Sequence, residues 1–503
     1  MGVRGRVVVT ILGLGAAVSV VAALIVTDVF SAQISSPEPD VRARPSAFEQ
    51  GPPIPLPPKP EQPVTQRARC RGVAVSPDDD LVEVVGAHGE STTFCLDRGV
   101  HRVATPVQPS AGQKLIGRPG AVVSGAKVID KWAESRPGVW TASGQTQESE
   151  PAGQNFPDLA RPEARYNESV FLDGRALERV LDLDRLAPGR FYFDYESDEI
   201  HIADEPSGHL VEGSVATHVI LGTADEIEIR DLTIEKSAGF GIEARGTEDW
   251  VISGNEIRFN HQIGVCSGPR SRVLDNHIHH QGQMGICGSG DGILVERNEI
   301  AFNNSAGFAT ADGQCWDAGG SKWVLTTKLV VRDNYVHDNY CHGLWTDIDN
   351  RRTTYEGNWI EDNRGTGLFH EISYEATVRD NVVRANRSVG IDIVSSPDVD
   401  VADNLVIDNG DGILIRQSNR GSGRFGPHVT NNITVRDNTV EMRHGLSGVL
   451  GLGEDGGGSL RFLRNSYRLT DPREGSFTLG GDPLDFDQWQ AEGHDRRGQV
   501  YAR

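Results

Sequence analysis

A repeat of 21 to 24 residues runs through the C-terminal half of the chain and restricts its fold more than any other feature. Aligning one asparagine per repeat gives steps of 21, 22, 36, 24, 23, 23 and 34 residues, so each long step is one repeat plus an insertion. The aligned residues are Asn255, Asn276, Asn298, Asn334, Asn358, Asn381, Asn404 and Asn438. A unit this short buries little apolar surface alone and must stack on its neighbours.

Two further marks recur in most repeats, an asparagine five residues later and a glycine eight or nine residues later. They are Asn260, Asn303, Asn339, Asn363, Asn386 and Asn409, and Gly264, Gly285, Gly307, Gly343, Gly367, Gly390 and Gly412. Short Val/Ile strands between fixed turns predict an all-β fold, a parallel β-helix. The leucine framework of a leucine-rich repeat is absent, and an antiparallel barrel would not keep this register.

The N-terminus predicts membrane attachment and export. Arg4 and Arg6 precede Val7–Thr27, an uncharged run of 21 residues that is long enough to span a bilayer. We therefore expect a signal anchor over residues 1–28, with a cleaved signal peptide as the alternative. A Pro-rich linker follows over residues 29–67 and is expected to act as a semi-rigid spacer.

The remaining chain divides by pattern. Residues 68–127 are expected to form the first β-helix coils, and residues 226–470 the main stack. Between them, residues 128–225 lose the repeat but keep β-prone runs such as RFYFDY and DEIHIAD, which predicts a small inserted β subdomain. Residues 471–503 form a C-terminal tail, for which the sequence predicts no fold.

Charge and cysteine count limit the class of protein. The net charge of −22 argues against a nucleic-acid partner, because phosphate binding needs a basic surface. Six cysteines, an even number in an exported chain, predict disulfides, and no CxxC spacing indicates a zinc site. The sequence carries no signal for an oligomeric state.

Side chains alternate inward and outward after each glycine, which places residues of successive repeats in shared columns. In GIDIV the isoleucines point inward, so one outward column holds Trp345, Phe369, Asp392 and Leu414, and the next holds Asp347, Glu371, Val394 and Arg416. Asp347 and Glu371 then lie on neighbouring strands about 4.8 Å apart. Like charges placed opposite each other destabilise a sheet, so this pair beside two aromatic residues predicts a site.

The alternative is a solvated acidic face, neutralised by Arg416 or Lys322, or a calcium site. No other cofactor is expected. The inserted segment 309–328 is expected to leave the stack beside the acid pair as a wall that supplies Trp316, Asp317, Lys322 and Trp323. Aromatic rings, carboxylates and a cation are typical of a sugar-binding site. The predicted partner is therefore an oligo- or polysaccharide, and membrane contact is expected only through the N-terminal segment.

The same columns give candidate residues and one disulfide. Cys266 and Cys287 share an outward column on successive repeats, which predicts a bond between them; Cys315 could then pair with Cys341, leaving Cys70 with Cys95. The candidate substrate-binding residues are Trp316, Lys322, Trp345, Asp349, Phe369, His370, Asp392 and Arg416. His370 falls in an inward column, which favours a core or turn role.

Two carboxyl groups about 5–5.5 Å apart are the arrangement of retaining glycosidases. Adjacent strands deliver a spacing of that order. Asp347 has the shorter side chain and is the candidate nucleophile, and Glu371 reaches further and is the candidate acid/base.

The segments WDAGGSKW, GLWTDIDN and GLFHEISY together resemble the active-site coils of glycoside hydrolase family 120. That family consists of right-handed β-helix β-xylosidases with an inserted β subdomain. The resemblance implies a right-handed helix, with Asp347 as nucleophile, Glu371 as acid/base and Asp317 as a third, supporting carboxylate. The chain departs from the family at Asp317, where glutamate is usual, and in the ISY that follows Glu371.

Two other functions fit the predicted fold. A polysaccharide lyase or uronate epimerase could use Lys322, His370 and Arg416, although the acidic face would repel an anionic polymer unless a metal were bound. A non-catalytic, surface glycan-binding β-helix would keep the aromatic residues but has no need for stacked acids.

Overall fold

The computed structural model describes residues 49–60, 70–152, 158–451 and 459–503. Most of these residues form a parallel β-helix in which each coil contributes one short strand to each of three faces. Each strand pairs in parallel with the equivalent strand of the next coil. The predicted anchor lies outside the described ranges, and within those ranges no helix has the length and apolarity to cross a bilayer.

We call the three strand columns face 1, face 2 and face 3. The strands of face 1 are His218–Leu221, Phe240–Glu243, Ile263–Ser267, Met284–Asp291, Gly319–Thr327, Leu344–Thr346, Leu368–Glu371, Val389–Val394, Asp411–Arg416, Ser447–Leu450 and Phe477–Leu479. The strands of face 2 are Val73–Val75, Thr93–Leu96, Lys114–Gly117, Glu228–Arg230, Val251–Ser253, Arg272–Leu274, Leu294–Glu296, Val330–Arg332, Arg351–Glu356, Tyr374–Arg379, Val399–Ala402, Ile433–Arg436 and Leu460–Leu463. The strands of face 3 are Gly99–Arg102, Ala121–Ser124, Thr233–Glu235, Glu256–Arg258, His277–His279, Glu299–Ala301, Tyr335–His337, Trp359–Glu361, Val382–Arg384, Leu405–Ile407, Thr439–Met442, Ser466–Leu469 and Gln499–Ala502.

The turn between face 2 and face 3 explains the recurring Asp-Asn pair. The aspartate adopts a left-handed backbone, as in Asp380 and Asp403 with φ of 57° each, which aspartate and asparagine tolerate better than most residues. The asparagine that follows is buried and joins its equivalent in the next coil. Asn381 Nδ2, for example, donates to Asn404 Oδ1 at 3.0 Å. The ladder satisfies buried turn groups that would otherwise be costly.

Apolar residues at the strand centres stack along the interior of the β-helix. The central residues of face 3, such as Ile257, Ile278 and Ile300, are fully buried. At the C-terminal end the helix Phe486–Ala491 closes the stack, and its Trp489 is fully buried against Phe462 and Phe477. The tail thus covers the apolar interior at the last coil.

The segment that breaks the repeat forms two sheets, in which neighbouring strands are antiparallel except for the parallel pair Glu178–Val180 and Arg190–Asp194. One contains Ala126–Val128, Val170–Leu172, Arg175–Ala176 and Val211–Ser214, and the other contains Ala133–Arg136, Val139–Ser143, Glu178–Val180, Arg190–Asp194 and Glu199–Ile202. Lys114–Gly117 pairs in parallel with Glu228–Arg230. The stack therefore continues directly across the segment between them.

The shorter elements lie at the edges of the stack. They are the helix Leu81–Ala87, the 3-10 turns Pro162–Arg165 and Leu183–Arg185, the hairpin strands Ser422–Gly423 and Gly426–Pro427, and Asp482–Leu484, which pairs with the last strand of face 1.

Residues 49–60 of the predicted linker lie along face 3. The Ala502 amide donates to Glu49 O at 3.1 Å, and Lys59 forms an ion pair with Glu361 beside the rings of Tyr335 and Trp359. This part of the linker is docked on the β-helix, whereas its proline content predicts a semi-rigid spacer that stands away from it.

All three predicted disulfides are confirmed. Cys70 bonds to Cys95, Cys266 to Cys287, and Cys315 to Cys341, with Cα atoms 5.7, 4.4 and 5.5 Å apart. Cys266 and Cys287 are direct partners in the parallel ladder, as expected for two residues of one outward column.

The expected position of one insertion is wrong. Gly319–Thr327 is a strand of face 1, so residues 319–327 belong to the stack and do not form part of a wall beside it. Gly320 pairs with Gly285 in the ladder, whereas Gly307, which has φ of +81°, lies in the inserted segment. The insertion thus follows the Asn303 turn and ends before the strand begins.

Candidate functional site

The outward column of face 1 has the predicted register. Trp345 pairs with Phe369, Phe369 with Asp392, and Asp392 with Leu414. The column also includes Lys322 on the preceding coil, because Trp323 pairs with Thr346. Trp323, predicted to stand in the wall, points inward and is fully buried.

Trp345 is enclosed within this column. Lys322 Nζ lies 3.9 Å from the centre of its ring, and Phe369 stacks against it with centroids 5.5 Å apart and an interplanar angle of 12°. Trp345 and Phe369 are only 5% and 9% exposed. The expected packing of a sugar on the Trp345 ring face is therefore not available in this arrangement, and the two rings form a rigid support beneath the acids.

Asp347 and Glu371 follow directly on neighbouring strands. Thr346 pairs with His370, and the next residue on each strand is one of the two acids. Asp347 is 6% exposed and Glu371 is 8% exposed. The structure therefore brings together the two carboxyl groups that the sequence pattern places on neighbouring strands.

Lys322 binds two of the predicted acids. Its Nζ lies 2.9 Å from Asp347 Oδ2 and 2.5 Å from Asp317 Oδ1. Burial by itself lowers the pKa of Lys322, but the two carboxylates outweigh it and the net pKa is raised. Lys322 is therefore a permanent cation that lies against the Asp347 carboxyl group.

The other oxygen of Asp347 has no partner. Among the described residues nothing hydrogen-bonds to Asp347 Oδ1 or to Trp345 Nε1, although both atoms are buried. Buried polar atoms are rarely left unpaired, and the exceptions need an explanation such as a catalytic role. One acceptor and one donor thus remain at the acid pair for a ligand.

Glu371 has a cation partner that the sequence analysis missed. Arg420 Nη1 forms a close ion pair with Glu371 Oε1. Even so, burial and the charge of Asp347 raise the pKa of Glu371 to about 7, because they outweigh the opposing effects of Arg420 and Lys322. Glu371 can therefore carry a proton near neutral pH.

Arg420 belongs to the second long insertion, residues 417–432, which forms a small hairpin over the site. Asp349 anchors it by accepting hydrogen bonds from His428 Nε2 and from the Arg424 amide, each at 2.9 Å. A Cβ at position 423 would collide with Asp349 Oδ1, so only glycine permits this approach. The carboxylate of Asp349, a candidate for substrate binding, is thus engaged in holding the hairpin.

Three other candidates have protein partners. Asp392 is fully buried and forms a close ion pair with Arg416, on the next coil. Trp316 packs against the apolar cluster that contains Phe308 and Cys341. The contacts of Trp316 link the inserted segment to the stack beside Asp317.

His370 does not line the site, so its prediction as a substrate-binding residue is wrong. It is fully buried, its Nδ1 lies 2.7 Å from Thr346 Oγ1, and burial lowers its pKa to about 3. It is a neutral core residue, as its inward column indicated.

His342 was also missed. Its ring lies 5.1 Å from that of Trp345 and 5.2 Å from that of Phe369, and its Nδ1 accepts a hydrogen bond from the Thr366 amide at 3.1 Å. Burial, followed by the charges of Lys322 and Arg416, lowers its pKa to about 4. His342 is therefore neutral.

Different sequence features mark the residues that the sequence pattern did not predict. Arg420 and His428 lie in the insertion marked by the 34-residue step between repeats. His342 directly precedes the repeat glycine Gly343, whereas the outward columns include only residues after each glycine.

Comparison with known proteins gives the fold. A family model described as the right handed beta helix region matches residues 217–313 and 240–406. No curated protein matches the chain. The structure of XylC with xylose covers 84% of this chain and 82% of its own, at 14% identity and a TM-score of 0.61.

More distant solved structures include two other enzymes. The A-module of the mannuronan C-5 epimerase AlgE6 from Azotobacter vinelandii covers 84% of this chain and 93% of its own, at 12% identity and a TM-score of 0.41. The catalytic unit of a GH87 alpha-1,3-glucanase from Streptomyces thermodiastaticus strain HF3-3 covers 87% and 69%, at 13% identity and a TM-score of 0.43. The chain thus has the right-handed parallel β-helix fold, and it resembles glycoside hydrolase family 120.

Proposed function

We propose that the protein is a carbohydrate-active enzyme, a retaining glycoside hydrolase that acts on an oligo- or polysaccharide. One observation carries the proposal. Asp347 has one oxygen held by Lys322 and the other without a protein partner, and it stands one strand from Glu371, whose pKa is raised to about 7. An ionised carboxylate beside a protonated one is what a nucleophile and a general acid require.

In the first step Asp347 Oδ1 attacks the anomeric carbon and forms an ester bond to it. The bond to the leaving oxygen breaks at the same time, and Glu371 gives that oxygen its proton. In the second step Glu371 takes a proton from water, the water oxygen bonds to the anomeric carbon, and the ester to Asp347 breaks. Two displacements at one carbon return the original anomeric configuration.

The surrounding residues support these roles. Lys322 lies against Asp347 Oδ2 and leaves Oδ1 for the attack, and the stacked Trp345 and Phe369 pack beside it in the same column. Asp317, which is held by Lys322 and is partly exposed, is available to bind sugar hydroxyls. XylC, which shares the fold, was solved with xylose, and the three disulfides agree with export to an oxidising compartment.

A lyase or epimerase fits the site less well, because Lys322, His370 and His342 are each unsuited to act as its base. The pKa of Lys322 is raised, so it stays protonated. His370 is buried in the core. His342 has one ring nitrogen occupied by Thr366 and also hydrogen-bonds the Cys315 backbone. Arg416 and Arg420 could still neutralise a uronate, so the assay includes that substrate class.

The test is a screen of the full-length protein against aryl glycosides and uronate polymers. Release of the aryl alcohol with a product of unchanged anomeric configuration, followed by NMR, is the expected result. Asp347→Asn should abolish turnover. Glu371→Gln should slow substrates with poor leaving groups far more than activated aryl glycosides, which need little protonation.

The matched control is Asp362→Asn, which removes an exposed acid in a turn outside the site. It should keep full activity. An inverted product, or an unsaturated uronate in place of a hydrolysis product, would contradict the proposal, as would full activity of Asp347→Asn.

A further inference from the structure

Face 3 carries a cluster of two histidines and a glutamate on two adjacent coils. Glu256 pairs directly with His277 in the parallel ladder. His279 is two residues further along the same strand, so His277 and His279 project on the same side. One ligand atom from each of the three residues lies within 4.8 Å of the other two.

The distances suit one metal ion. Tetrahedral zinc with bonds of about 2.1 Å places its ligand atoms roughly 3.4 Å apart. His279 Nε2 and Glu256 Oε1 are 3.4 Å apart. The rings of His277 and His279 stack with centroids 4.0 Å apart, so the His277 ring would turn about its Cβ–Cγ bond to direct a nitrogen lone pair at the same ion.

His279 has an outer partner of the kind that orients a metal ligand. Its Nδ1 lies 2.7 Å from His280 Nδ1, which leaves Nε2 facing Glu256. A hydrogen bond of this kind fixes which ring nitrogen carries the proton and makes the other a better ligand. His277 Nε2 lies 3.6 Å from Glu299 Oε2, which places a further carboxylate beside the cluster.

We propose that Glu256, His277 and His279 bind a divalent transition-metal ion, with Zn²⁺ as the ion to test. Two imidazoles and one carboxylate form a recognised zinc ligand set that leaves a fourth position for water. Arg258 now donates to Glu256 Oε1 at 2.8 Å, but it also holds Glu235 at 2.8 Å and can pair with Glu235 alone. The ion would join two coils. The proposal does not depend on the proposed glycosidase activity.

The test uses the full-length protein purified without a histidine tag. Zn²⁺ is titrated by isothermal calorimetry, and Co²⁺ is bound separately so that its visible absorption reports the coordination number. The expected result is one equivalent of Zn²⁺, four-coordinate Co²⁺, and a Tm that rises with Zn²⁺ concentration.

Variants then locate the site. His280→Gln should weaken Zn²⁺ binding by roughly 10- to 100-fold, the usual effect of losing an outer partner. His277→Gln and His279→Gln should each weaken it by more than that, and Glu256→Gln provides a further variant if either histidine variant misfolds. The control His444→Gln removes an exposed histidine outside the cluster and should bind as the parent does.

Two outcomes would overturn the proposal. One is the absence of Zn²⁺ binding by the parent. The other is binding that survives in folded His279→Gln and Glu256→Gln proteins, which would place the ion elsewhere.

Discussion

The pH dependence of stability should depend strongly on Glu371. Its pKa is about 7 in the folded protein and 4.5 in the absence of burial, so the folded state retains a proton that the unfolded chain releases between these values. The resulting stabilisation is complete below about pH 4.5 and is lost as the pH rises through about 7. At 1.36 kcal/mol per pH unit the loss is about 3 kcal/mol. Glu371 is only 8% exposed, so solvent screening should reduce this value little.

Glu371→Gln removes the titrating group and should remove this part of the pH dependence. The measurement is the free energy of unfolding by urea at pH 5 and pH 8 for parent and variant. Between those values the parent should lose about 2.5 kcal/mol more than Glu371→Gln, because the loss begins below pH 5. At pH 5 the two should be similar, because the parent glutamate is then mostly protonated. Equal losses in parent and variant would refute the assignment of the raised pKa to Glu371.

Glu375→Gln is the matched control for that experiment. Hydrogen bonds from Arg351 and Arg352 hold the pKa of Glu375 below its ordinary value, so it is ionised throughout the range from pH 5 to pH 8. The control should therefore show the same pH dependence as the parent.

Two further predictions concern the residues that hold the acids in place. Lys322→Met leaves Asp317 and Asp347 without their shared buried cation and should cost about 3–5 kcal/mol in urea unfolding, whereas Lys328→Met, at an exposed lysine just beyond the same strand, should change stability by less than about 0.5 kcal/mol. Gly423→Ala should displace the hairpin from Asp349, cost about 1–3 kcal/mol, and move Arg420 away from Glu371. Arg420 lowers the pKa of Glu371, so its displacement should raise that pKa. The activity of Gly423→Ala should therefore fall off at a higher pH than that of the parent, and an unchanged pH–rate profile would contradict this link.

The repeat was sufficient to predict the columns because each side chain position depends only on strand alternation and stacking. Asp347, Glu371 and the disulfide Cys266–Cys287 all follow from that rule. The position of Lys322 does not follow from the rule, because an insertion separates Asn298 from the strand Gly319–Thr327. The glycine nine residues after Asn298 is Gly307, which lies in the insertion, so the spacing places Lys322 in a wall beside the stack.

The hairpin could not be predicted in this way because insertions are free of the repeat. Nothing in the spacing of residues 417–432 indicates that Arg420 reaches Glu371 or that His428 reaches Asp349. The pKa of Glu371 depends on burial and on charges from four separate segments, which sequence spacing does not determine. The same applies to the aromatic pair, where alternation gave the position of Trp345 but not its enclosure by Lys322 and Phe369.

The distribution of cations along face 1 explains how a repetitive fold can give neighbouring acids different surroundings. Asp347 is paired with Lys322 and Asp392 with Arg416, and both cations come from neighbouring coils of the stack. Their positions are fixed by the strand ladder. Glu371 is paired instead with Arg420, a cation from an insertion. That hairpin is held by Asp349, which is two residues after Asp347. The segment that carries Asp347 therefore also positions the cation that opposes the raised pKa of Glu371, so displacement of the hairpin would change the pKa of Glu371 while leaving the Asp347–Lys322 pair in place.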